Sequence, residues 1–251
     1  MNNKILLMIA LGTVSMLLSS CEPIDYLPCV KPSGAVVEEV RTTDSFNGIN
    51  LSMHASVNVS KGEEQSIMIV AAPNIQEHIA VHSDGQTLYI DNKRCLRTRK
   101  DDLKIFITTT EVQKLNLSGS GTIRLDEGFE GEHLQLSVSG SGKIFAQSVS
   151  YQSITANLSG SGDIKTGGIA HKQTVSISGS GNVQGYALQS ENATVRISGS
   201  GNAKVFVTGF LDGRIAGSGN IWYIGNPTVN ISIAGSGAIH PMDQDIQFTN
   251  E

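Results

Sequence analysis

The chain has 251 residues, 39% of them hydrophobic and 16% charged, with 27 glycines, one tryptophan and a net charge of −5. That length allows one or two domains with a sizeable core, and the apolar share is too high for a disordered chain. The acidic balance argues against a nucleic-acid binder, and the glycines lack the three-residue period of collagen.

Lys4 precedes an apolar run over residues 5–18, and Leu18-Ser19-Ser20-Cys21 follows. A positive start, a short apolar stretch and small residues before a cleavage point describe an export signal over residues 1–20. The run falls short of the roughly 20 residues that a spanning helix needs. The cysteine after Leu-Ser-Ser resembles the bacterial lipobox, whose cysteine becomes the acylated first residue of the mature protein. Cys21 is therefore the expected lipidation site, tethering the chain to the outer membrane through acyl chains that together anchor it stably. Glu22 and Asp25 loosely suit the acidic export signal of Bacteroidetes surface lipoproteins, but Pro23 and Ile24 interrupt it, so cell surface and periplasmic face both stay open.

Pro23, Pro28 and Pro32 make residues 21–35 read as a lipid-anchored, extended linker. Cys29 lies in it, and Cys95 follows 66 residues later. An exported compartment permits a bridge between them, two separate thiols being the alternative, and neither has the CxxC spacing of a metal or redox site.

Residues 36–112 read as an irregular, β-rich capping region with strands at 66–71, 87–91 and 103–109 and a short helix from Asn74 to about Ile79. Lys93, Arg94, Arg97, Arg99 and Lys100 gather 5 of the 18 positive charges in one loop. Such a run is either a solvated hairpin or a contact for an anionic glycan or lipopolysaccharide, since polyanions reward clustered arginine. His78 and His82 are four apart but lack the intervening pattern of a helical metal site, and His82 reads as part of the next strand.

From residue 113 to 240 one motif recurs. Gly-Ser-Gly begins at Gly119, Gly140, Gly160, Gly179, Gly199, Gly217 and Gly235, at spacings of 21, 20, 19, 20, 18 and 18. Two residues before each first glycine stand Leu117, Val138, Leu158, Ile177, Ile197, Ile215 and Ile233, and four after it stand Ile123, Ile144, Ile164, Val183, Ala203, Ile221 and Ile239. A third column, four residues before it, is also mainly aliphatic, and polar residues alternate with all three. Period-two alternation rich in β-branched residues is a strand signature. A unit this short cannot bury its own apolar face, so the units must stack as a parallel β-helix. The absence of proline from residue 75 to 226 fits continuous pairing. Phe46-Asn47-Gly48-Ile49-Asn50-Leu51 begins a further copy in which Ile49, Leu51 and Val57 take the three columns and Met53 and Ala55 replace the glycines. Residues 241–251 read as a tail.

Both glycines fall on the inward parity. They either give another wall of the coil room to approach or supply a positive φ at a corner, and the sequence leaves both open. The central serines, Ser120, Ser141, Ser161, Ser180, Ser200, Ser218 and Ser236, form an outward column, a candidate binding face for a flat ordered partner. Ser118, Ser139, Ser159, Ser178 and Ser198 form a second, which ends in Ala216 and Ala234. Asp163, Asn182, Asn202 and Asn220 form an Asx column suited to a turn.

Lipobox, Phe46-Asn47-Gly48-Ile49, the Pro73-Asn74 helix start and the Leu-x-Leu-Ser-Gly-Ser-Gly repeats together resemble the auto-transporter adhesin head GIN family of Bacteroidetes, over about residues 40–240. The resemblance implies a right-handed parallel β-helix without established catalytic residues. The expected function is a non-catalytic envelope lipoprotein offering a binding or scaffolding surface to a glycan or protein, with no cofactor, no metal and no nucleic-acid partner. A carbohydrate-active β-helix enzyme is the first alternative, since such folds carry lyases and hydrolases. It needs clustered acids, whereas Asp126, Asp163 and Asp212 take different repeat positions and Glu127, Glu130 and Glu132 share one bend. A periplasmic structural or stress-signalling component is the second.

Overall fold

The structure, a computed structural model, describes residues 28–99 and 102–242. The leader, Cys21 and Lys100 lie outside them.

Every strand pairing between Lys114–Gly119 and Ala238–Met242 is parallel. The first glycines pair in one continuous series from Gly119 to Gly235, and so do the aliphatic residues from Leu117 to Ile233. Seven triplets therefore bound a β-solenoid of about six turns. Leu158, Ile177 and Ile197 are each 2% exposed, because the outward side chains alternate with them and the next coil covers them above and below. The single strand Lys143–Gly160 shows how one coil closes: its burial alternates, slips phase near Gln147-Ser148, slips again near Gln152-Ser153, and ends at the triplet. These three corners give the solenoid three outward sides.

The glycine question has a divided answer. The first glycine of every triplet has a positive φ, from +119° to +133°, so it makes the corner. The second has an ordinary φ but no room: a Cβ on Gly162 would lie 2.3 Å from the Gly142 carbonyl oxygen and 2.8 Å from Val138 Cγ1. The serine amide between them donates to the first glycine of the coil before, as in Ser161 N to Gly140 O at 2.9 Å and Ser180 N to Gly160 O at 2.9 Å. Corners are thus stitched to one another along the axis.

The N-terminal part continues the same stack. Ile49, Leu51 and Val57 pair with Leu115, Leu117 and Ile123, as their alignment with the repeat predicts. One further coil lies beyond, formed by Thr87–Asn92 and Leu103–Thr109. Antiparallel strands then end the stack: Ile79–Ser83 pairs with Thr87–Asn92, Ser66–Ala71 with Leu103–Thr109, and Val37–Arg41 with Ser66–Ala71. The helix is Pro73–Gln76, shorter than expected, since Ile79 is buried and joins that antiparallel pairing. Gln76 Nε2 donates to the carbonyls of Val37 and Ile69, both at 3.0 Å, and so fastens the helix to the cap.

The expected linker is docked from Cys29 to Ser33. Cys29 and Cys95 are disulfide-bonded, Val30 N donates to Cys95 O at 2.9 Å, and Asn74 bridges Ser33 N and Lys31 O at 2.9 and 2.7 Å. The other end is bare by comparison: Ile233 is 42% exposed where its counterpart Ile215 is 2%, because no described strand follows.

Candidate functional site

The side that precedes the triplet forms an open groove of about 820 Å³ running from Asn50 to Ala234 across eight consecutive strands. Strand spacing makes that roughly 30 Å long. Its walls are two outward columns. One runs Asn50, Asn116, Ser137, Asn157, Ser176, Arg196, Arg214 and Ser232, and the other is the second serine column, Ser118 to Ser198, ending in Ala216 and Ala234. Arg196 and Arg214 are exposed and stacked in register on adjacent strands. Like charges so placed repel unless an anion lies against them. No carboxylate lines the groove.

The central serines, Ser120 to Ser236, are all exposed and stand on the ridge beside the groove rather than within it. The positive φ at the first glycine turns the chain between the two serine columns, which is why the concavity belongs to the column one step earlier.

Past the ridge, the second side carries two outward columns. The nearer is the Asx column, which forms a ladder rather than a turn: Asn182 Nδ2 donates to Asp163 Oδ1 at 3.3 Å, Asn202 Nδ2 to Asn182 Oδ1 at 3.1 Å, and Asn220 Nδ2 to Asn202 Oδ1 at 3.3 Å. Asp163 also binds Lys143 at 2.9 Å. The farther column, five residues after each first glycine, reads Arg124, Phe145, Lys165, Gln184, Lys204, Trp222 and His240 in register. The Arg124 guanidinium lies 4.2 Å from the Phe145 ring centroid, and Trp222 stacks on His240 at 5.5 Å. No sequence expectation covered this column; counting on by two from the Asx column would have exposed it.

The third side carries Glu130, Glu132 and Glu191. Glu130 and Glu132 lie on the strand Phe129–Gly140 rather than in a bend, with Glu130 3.4 Å from Lys61 Nζ, and only Glu127 sits in the preceding turn. His171 Nδ1 is 2.8 Å from Glu191. Asp126 accepts from Ser60 at 3.0 Å, and Asp212, two residues before Arg214 on the strand that bears the groove, accepts from Asn230 at 2.8 Å. Among the described residues no three His, Cys, Asp or Glu side chains come together. Tyr151 lies beneath this side and donates its hydroxyl to Val112 O at 2.7 Å; burial, with the nearby Glu111 and Glu130 charges, pushes its phenol up to about 12.

Lys93, Arg94, Arg97 and Arg99 are exposed in a loop that takes the place of a Gly-Ser-Gly corner in the first coil, between Thr87–Asn92 and Leu103–Thr109. The disulfide and the backbone pair Arg97 N to Val30 O, 2.8 Å, hold this loop against the incoming linker.

The profile of a family described as "Putative auto-transporter adhesin, head GIN domain" matches residues 45–227. The chain belongs to this family. That span takes in part of the cap, the basic loop and most of the solenoid, and with it the groove as far as Ala216 and the second side as far as Trp222. A crystal structure of a putative adhesin from Bacteroides fragilis NCTC 9343 superimposes with a TM-score of 0.80 at 23% identity, covering 85% of this chain and 100% of the other. A putative lipid binding protein from Parabacteroides distasonis ATCC 8503 gives 0.72 at 21% identity over 86% and 100%, and a putative adhesin from Parabacteroides merdae ATCC 43184 gives 0.66 at 18% over 85% and 98%. At these identities the likeness establishes the fold. No curated protein matches the chain.

Proposed function

We infer that the protein is a non-catalytic envelope lipoprotein whose solenoid presents its groove to an extended partner, a glycan chain or a protein segment, in the manner of an adhesin. One observation carries the reading: the groove crosses eight strands, its columns of hydroxyls, amides and two in-register arginines flanking an aliphatic line from Leu117 to Ile215, with no carboxylate among the described lining residues. Such a surface offers many weak hydrogen bonds spread along a line and no converging acid and base, so it suits an elongated ligand held without chemistry. The arginine pair meets an acidic group on that ligand.

Cys21 is the lipid anchor in this reading, on the outer membrane. It precedes Cys29 by eight residues, a reach of at most about 28 Å, so the disulfide keeps the basic loop near the bilayer. There Lys93, Arg94, Arg97 and Arg99 meet anionic headgroups or lipopolysaccharide, the second contact that steadies a lipid anchor.

The test combines protease shaving of intact cells with glycan and protein arrays probed by the purified chain. Shaving that removes the protein, together with array binding lost in Arg196→Ala/Arg214→Ala, is the expected result. Cys21→Ala should release the chain from membranes. Array binding indifferent to both arginines would overturn the groove as the site, and hydrolysis or elimination of an arrayed glycan would favour the enzyme. Protection from protease would place the protein on the periplasmic face, where a structural role fits better.

A further inference from the structure

We propose that the second side of the solenoid is a separate binding strip for an acidic polysaccharide carrying one carboxylate per disaccharide. The strip runs from Arg124 to Trp222. Arg124, Lys165 and Lys204 stand on every second strand, with Phe145 between the first two, Gln184 between the second two and Trp222 after the last. Strands about 4.8 Å apart put successive cations about 10 Å apart, and the whole strip extends about 24 Å.

Three features mark this column. It carries two half-exposed rings, one of them the only tryptophan in the chain, in register with three cations. Half-exposed aromatic faces and arginine are the side chains that binding surfaces concentrate. The strip is also cationic on a chain of net charge −5. Asp163, two residues before Lys165, is held by Lys143, and among the described residues Arg124, Lys165 and Lys204 form no salt bridge.

The spacing selects the ligand class. In an extended glycan of alternating acidic and neutral sugars, the carboxylates recur once per disaccharide, a repeat close to the two-strand interval between these cations. Each cation then meets a carboxylate; Phe145, beneath the Arg124 guanidinium, packs against one neutral sugar, the Gln184 amide hydrogen-bonds the next, and Trp222 flanks the last cation. A chain of a few sugars covers the strip. This site lies across the serine ridge from the groove and does not rest on the groove's reading.

Trp222, being the single tryptophan, reports on the strip directly. Tryptophan emission of the full chain should shift saturably when titrated with hyaluronan oligosaccharides, which alternate glucuronate and a neutral amino sugar, and not with neutral chitin oligosaccharides. Lys165→Glu and Lys204→Glu should each weaken the response about tenfold or more, as should raised salt. Both side chains point outward, so an unchanged melting temperature checks the fold. Arg196→Ala/Arg214→Ala should leave the response intact. No shift, an equal shift with the neutral oligomer, or charge reversals without effect would overturn the proposal. So would a shift given only by phosphatidylglycerol vesicles, which would make the strip a membrane contact. Loss of the response in the Arg196/Arg214 variant alone would return the glycan to the groove and also refute it.

Discussion

The corner after the outward groove is built in three ways along one stack. In seven coils it is Gly-Ser-Gly; in the coil before, it is the stretch from Ser52 to Ala55; in the first, it opens into the basic loop after Asn92. Met53 and Ala55 occupy the places of the two glycines and are buried, 5% exposed each. The coil shape itself therefore does not demand glycine. Glycine is demanded where one compact corner must sit on another, since Gly140 to Gly235 each press on a glycine of the preceding coil, while a Cβ on Gly119 would meet nothing within 4 Å. The repeated triplet both turns the corner and lets one corner stack on another, and the N-terminal coils are free of it because their corners serve other ends: one closes the core with Met53, and the other carries charge and a disulfide.

Comparing the two ends gives the largest expected effect. Ile177→Asp buries a carboxylate in a dry column and should abolish folding or cost more than about 4 kcal/mol. Ile233→Asp, at the same repeat position in the open last coil, should cost under about 1 kcal/mol by urea denaturation. Equal losses would mean that the last coil is covered.

The glycine comparison is sharper. Gly119→Ala meets only the strain of its positive φ, +122°, about 1–2 kcal/mol. Gly160→Ala adds a contact of 2.5 Å with the Gly140 carbonyl oxygen, a further 1–3 kcal/mol of overpacking. Chemical denaturation of the two variants under the same conditions measures the difference, and equal costs would show that stacking does not set the requirement.

The smallest effect lies inside the solenoid. Gln173 is fully buried, and neither its Oε1 nor its Nε2 has a hydrogen-bond partner, with the Thr166 hydroxyl nearby in the same state. Gln173→Met should raise stability by about 1 kcal/mol, read as a higher melting temperature. A fall would show that the amide is satisfied by buried water.

Much of the stack was legible because its signal is repetition. Leu117 through Ile233 and Gly119 through Gly235 recur at nearly constant spacing, and period two fixes which side of the sheet each faces. The division of labour between the two glycines was not legible, since both share the inward parity and both press on the coil before, and only the positive φ of the first separates them. The groove was displaced by one column from the ridge serines because a backbone turn, not composition, decides which serines lie in the hollow. The strip from Arg124 to Trp222 escaped notice for the opposite reason: its members mix cations, rings and an amide, and no residue type repeats often enough to mark a column. Docking of Cys29 to Ser33 depends on Asn74 and Cys95, contacts across long separations that a local reading of proline as linker does not supply.

Modularity of the coils is what gives the molecule long faces instead of a pocket. Excising residues 161–179 removes one coil and rejoins Gly160 to Ser180, restoring the triplet. Circular dichroism and thermal unfolding of that shortened chain should give an unchanged β spectrum and one cooperative transition at a modestly lower temperature. A chain that fails to fold after losing a single coil would contradict the claim that equivalent coils lie directly upon one another.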